Sequence, residues 1–135
     1  MVSHQPALLP GQILYIPIQF NNTTKLVPKR VIFICNDEDG DPLFLKICSG
    51  RLRGNFYLIK YENYGSSLVY DSFVDCGQVY SKVCSALDLI AILTNDPKSI
   101  LECLSDDDKE QISRWMNSAN TISNIHKRLI QQAFS

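Results

Sequence analysis

The sequence predicts an α+β domain, a small barrel or rolled sheet of five or six short, mostly antiparallel strands followed by C-terminal helices. Three observations predict it. Short runs rich in β-branched and aromatic residues recur up to Tyr80, with Gly, Pro, Asn and Asp turn signals at close intervals. At Ser81 the character changes to helix-forming residues behind recognisable N-caps. The chain has 135 residues, 45% hydrophobic and 20% charged, which suits one domain with a real hydrophobic core.

Residues 1–10 read as a flexible leader, because Pro6 and Pro10 deny regular structure. Residues 11–83 read as the barrel. Gly11 launches the run QILYIPIQF at 12–20, apolar on both faces, in which Pro17 cannot donate to a ladder and so predicts an edge or bulged strand. A polar loop at 21–24 leads to an apolar strand at 31–35, whose unbroken character predicts a central place. The turn at 36–42 alternates acids around Gly40 and superficially matches a calcium loop. It lacks the distal bidentate glutamate, so it reads as a solvated acidic turn and not a metal site. Strands follow at 43–48 and 56–61, then at 68–70 and 72–80 with a bulge expected at Gly77.

Residues 84–135 read as a helical part packed on the barrel within the same domain. Residues 86–93 form a core helix. Asp96-Pro97 signals a helix start, and Ser105 with three acids behind it is a stronger one. Ile112, Trp115, Met116 and Ala119 make an apolar stripe that Ile122, Ile125, Leu129 and Ala133 continue. This is either one bent helix or two in sequence, with core or dimer packing as its use.

Charge and cysteine usage narrow the class. A formal net charge of −1 gives no global basic field, although a local basic patch is compatible with it. Five cysteines without a C-x-x-C pair, and two histidines remote from them in sequence, argue against a disulfide scaffold and a zinc site and for a reducing compartment. The first ten residues lack the features of a signal peptide, and no apolar run approaches the ~20 residues of a membrane span. The expectation is a cytoplasmic protein without cofactor, metal or membrane association.

The hairpin of the 31–35 and 43–48 strands is where chemistry is expected. Antiparallel pairing brings the start of one strand beside the end of the other. That places Lys29 and Arg30 near Cys48, Ser49, Arg51 and Arg53.

The order of these pieces resembles the MazF/PemK-like toxins of bacterial toxin–antitoxin pairs. Gly11-Gln12-Ile13-Leu14 is similar to the family's opening Gly-Asp-hydrophobic strand, and residues 29–37, KRVIFICND, to its Arg-Pro-hydrophobic strand. Residues 45–49, LKICS, look like its hydrophobic-Thr-Ser strand end. Tyr64-Gly65, Asp71-Ser72-Phe73-Val74 and Gln78-Val79 resemble its Tyr-Gly, Asp-Ser-Val and Gln-Ile pieces, and Leu104-Ser105-Asp106 the start of its C-terminal helix. The resemblance covers roughly residues 11–80 and 104–116. It implies an SH3-like barrel, a homodimer, a small antitoxin protein as partner, and metal-independent endoribonuclease cleavage of single-stranded messenger RNA. Departures fall at the site itself. Lys29 stands at the family's catalytic arginine with Arg30 at the following proline, Cys48 stands at its threonine with Ser49 beside it, and Gly77 replaces an acid.

Under this reading Arg30, Cys48 and Ser49 are the candidate catalytic residues. Lys29, Arg51, Arg53 and Tyr57 bind RNA, with Tyr61 a further aromatic available for base stacking. Metal-free cleavage requires deprotonation of the 2′-hydroxyl, protonation of the leaving oxygen and stabilisation of the phosphorane. Arginine clamps phosphate bidentately where lysine is a point charge, and a thiol donates more weakly than a hydroxyl. If Arg30 turns inward the clamp is restored; if it does not, the chain is a weakened or inert relative. The alternative reading is a non-catalytic barrel that binds a protein or peptide in a groove with aromatics such as Tyr15, Phe56 and Tyr57.

Overall fold

Apolar residues at alternate positions on both sides of three consecutive strands require cover on both faces of the sheet, and the chain supplies it. The computed structural model describes residues 8–18, 26–50 and 54–135. Strands β1 (Gln12–Ile18), β2 (Val27–Asn36), β3 (Pro42–Cys48), β4 (Phe56–Ile59), β5 (Ser72–Asp75) and β6 (Ile100–Cys103) form one antiparallel sheet in the order β4-β5-β3-β2-β1-β6. Helices α1 (Ala86–Asn95), α2 (Asp106–Asn117) and α3 (Asn124–Ala133) complete the α+β fold.

The pleat divides the core in two. Ile32, Ile34, Leu43 and Leu45 join Ile112 and Met116 of α2 and Ile130 of α3 on one face. Val31, Phe33 and Phe44 join Leu14 and Ile16, covered by Leu89 and Leu93 of α1, on the other. Each buried side chain of this kind is worth roughly 1.5–3 kcal/mol relative to exposure.

The register of β2 on β3, Val31 opposite Lys46 and Phe33 opposite Phe44, is fixed by the acidic turn. Asp37 Oδ1 accepts from the backbone N–H of both Asp39 and Asp41, at 2.9 Å each, and Gly40 takes φ +83°. The carboxylate thus closes its own turn. All three helices begin at a serine whose hydroxyl accepts from a first-turn N–H, namely Ser85, Ser105 and Ser123.

Several expectations need correcting. The sheet is not closed into a barrel: β4 and β6 stand at opposite edges. Residues 84–135 are not wholly helical. Asp96-Pro97 starts a single 3₁₀ turn, after which β6 pairs with β1 at Gln12–Cys103 and Leu14–Ile100. β1 is therefore internal at its beginning, with a register shift between Gln12 and Leu14 that fits the bulged alternative, and Pro17 escapes the ladder conflict because β6 ends its pairing before reaching it. Residues 68–70 are not a strand, and β5 stops at Asp75, leaving Tyr80 as an isolated bridge to Phe44. β2 is central as expected, and the C-terminal apolar stripe divides between the two helices α2 and α3. Among the described residues no helix is long and apolar enough to cross a membrane.

Candidate functional site

At the open end of the β2–β3 hairpin lies a groove of about 540 Å³, lined by Tyr15, Lys29, Arg30, Lys46, Cys48, Ser49, Tyr70 and neighbouring residues. Among the described residues, three that line it are cationic and none is acidic. The nearby Asp71 directs its Oδ1 to the Tyr61 backbone N–H at 2.8 Å. The groove is therefore a positive patch on a chain whose net charge is −1.

Arg30 faces Tyr15 across the β1–β2 ladder, and its guanidinium carbon lies 4.6 Å from the ring centroid. Its Nε donates to the Ser67 carbonyl at 2.8 Å. Both contacts fix the guanidinium plane of a residue that lines the groove. Ser67 is itself positioned from the far edge of the sheet. Its hydroxyl donates to Glu102 Oε1 at 3.0 Å and accepts from the Glu102 N–H at 2.9 Å. The Ser66 hydroxyl donates to the same oxygen at 2.7 Å. Hydrogen bonding from Ser66, ahead of that from Ser67, holds the Glu102 carboxyl below its ordinary value. Strand β6 thus anchors the loop that orients Arg30.

Strand alternation sends Lys29, Lys46 and Cys48 to the opposite side of the hairpin from Arg30. Extending the Val31–Lys46 pairing by two residues sets Lys29 opposite Cys48. Burial pushes the Cys48 thiol up, with Asp75 adding to the rise and Lys46 and Lys29 opposing it. The thiol is neutral near pH 7, a weak donor and a poor nucleophile. Ser49 is exposed at the rim.

Lys29, Arg30, Cys48 and Ser49 all line the groove, Arg30 from the opposite side of the hairpin to Lys29 and Cys48. Arg51 and Arg53 lie outside the described residues. Tyr57 does not line the groove. Its hydroxyl donates to Asp108 Oδ1 of α2 at 2.6 Å and its ring meets Trp115 edge-on at 6.0 Å. Burial, reinforced by the Asp108 bond, raises its pKa strongly. Tyr64 donates to the other Asp108 oxygen, so one carboxylate ties the β4 region to the start of α2. Tyr57 is consequently held against α2 rather than in the groove.

Sequence reasoning overlooked Lys46, Tyr70, Ser67 and Glu102 as site residues. Lys46 carried a signal, being a lone cation inside an apolar strand. Ser67 and Glu102 carried none, since their role depends on a strand order that local pattern does not encode. Among the described residues no group of three His, Cys, Asp or Glu side chains is placed to hold a metal. No protein-family model matches the chain, and no curated protein is significantly similar to it.

Proposed function

We propose that this groove binds the phosphate backbone of single-stranded RNA and that the chain is a divergent toxin-type endoribonuclease acting without metal. The observation that carries the reading is the clustering of Lys29, Arg30 and Lys46, with no acid, in a groove edged by Tyr15 and Tyr70. Cations beside exposed aromatics suit a strand whose phosphates need neutralising and whose unpaired bases need stacking surfaces. Arg30, held by Ser67 and Tyr15, supplies a pre-oriented charge for a phosphorane, and Ser49 a hydroxyl donor. The SH3-like kinship, a homodimeric assembly and a small antitoxin protein as partner belong to the same proposal.

A second reading, binding without cleavage, is favoured by one specific feature: among the described residues the groove is lined by no imidazole and no carboxylate that could take the 2′-hydroxyl proton. The two separate in one experiment. Purified protein is incubated with a long single-stranded RNA in EDTA, beside an Arg30→Ala control, and binding is followed in parallel. Cleavage abolished by the substitution is the expected result. Binding without cleavage selects the second reading, and neither binding nor cleavage by folded protein overturns both.

A further inference from the structure

A second cleft of about 540 Å³ opens where the β4–β5 pair meets the loop between α2 and α3, and its lining differs in kind from that of the groove. Asn55, Gln78 and Asn120 supply side-chain amides, Thr121 a hydroxyl, Phe56 an aromatic ring, and Asp75 the one charge. Among the described residues no hydrogen bond occupies those three amides. The frame around them is fixed. Cys76 N–H donates to the Asn55 carbonyl at 2.7 Å, Gly77 N–H donates to Asp75 Oδ1 at 2.9 Å, and the Thr121 hydroxyl donates to the Gly77 carbonyl. A rigid cleft of this size that offers amides, an aromatic ring and one carboxylate oxygen suits a neutral, flat ligand with hydrogen-bonding edges.

Strand β5 places the cleft near the groove. Cys48 pairs with Phe73, and Asp75 lies two residues further along β5 on the same face, about 7 Å away. Asp75 also contributes to the upward shift of the Cys48 thiol.

We infer that this cleft is a nucleobase pocket that selects bases carrying an exocyclic amino group, and that it reads the nucleotide adjoining the phosphate held in the groove. The selectivity follows from Asp75, whose second oxygen accepts from an amino group and repels the carbonyl that uracil presents there. The amides complete the base edge and Phe56 offers a stacking face. Only the adjacency to a bound phosphate rests on the RNA reading above; the pocket's taste for a base does not.

The test titrates cytidine and uridine, which differ at the amino position, into isotope-labelled full chain, following the side-chain amide resonances of Asn55, Gln78 and Asn120. Cytidine is expected to shift them and to bind roughly tenfold tighter than uridine. Asp75→Asn, which keeps the acceptor for the Gly77 N–H, is expected to erase that preference. Equal response to both nucleosides, or none, overturns the pocket. Oligocytidine and oligouridine are then compared on wild type and on Lys29→Ala/Lys46→Ala. A cytidine response without any oligonucleotide binding leaves the pocket standing and overturns the groove. Oligonucleotide binding lost in the double variant, with no nucleoside response, does the reverse.

Discussion

Cys48 occupies the position where the resemblance implies a catalytic threonine, and its surroundings decide what it can do there. Burial is the largest influence on it, and Lys46 and Lys29 offset that only in part. The other four cysteines are shifted the same way by burial, Cys76 to about 12 and Cys84 to about 11. A raised pKa leaves the neutral thiol dominant at pH 7, and the thiolate appears only as pH climbs past the ordinary thiol range. Native protein should therefore react with iodoacetamide at pH 7.5 much more slowly than urea-unfolded protein, with Cys48 no faster than a free thiol. Fast, selective alkylation of Cys48 in the native state, read by mass spectrometry, would refute this. Cys48→Ser is expected to leave RNA binding within about twofold, since a hydroxyl donates at least as well as the thiol it replaces.

At the scale of elements, β6 has the least conspicuous sequence and the largest consequence for the site. Its Glu102 reaches Ser66 and Ser67, and the Ser67 carbonyl holds Arg30. Glu102→Ala should weaken RNA binding several-fold while leaving the fold intact, and Glu102→Gln, which can still accept, should restore most of it. The charge adds a pH signature. The folded pKa of Glu102 lies below its unfolded value, so its stabilisation is present above roughly pH 4.3 and is lost as pH falls through the folded value. Urea midpoints measured from pH 6 to pH 3 should fall less steeply for Glu102→Gln than for wild type; identical slopes would show that the carboxylate contributes nothing through its charge.

The same strand shows where sequence legibility ends. The hairpin was readable because Val31 to Cys35 and Leu43 to Cys48 are apolar runs around an Asp37–Gly40 turn, all local signals. The caps at Ser85, Ser105 and Ser123 are local too. Asp96-Pro97 gave a true start signal for a helix that lasts one 3₁₀ turn, because Ile100 and Leu101 gain more by joining β1 than by continuing it. Likewise Tyr57 looked like an exposed aromatic until Asp108, 51 positions away, claimed its hydroxyl. Lys29 and Arg30 are adjacent in sequence, yet the period of two sets them on opposite sides of the hairpin.

For the whole molecule, the informative feature is the contrast between a net charge of −1 and a groove whose described lining holds three cations and no acid. Such a groove attracts an anionic strand only locally, so association should be salt-sensitive in proportion to the phosphates it neutralises. For single-stranded nucleic acid each neutralised phosphate contributes about −0.7 to the slope of log Kobs against log salt, so Lys29, Arg30 and Lys46 together predict a slope of about −2. Lys46→Ala should make the slope shallower by about 0.7 across every RNA sequence tested, whereas Asp75→Asn should alter the choice between sequences and leave the slope unchanged. Fluorescence anisotropy between 50 and 300 mM salt measures both. A slope near zero for wild type would mean that the groove does not hold phosphate at all. A slope unmoved by Lys46→Ala would place the phosphates elsewhere on the surface.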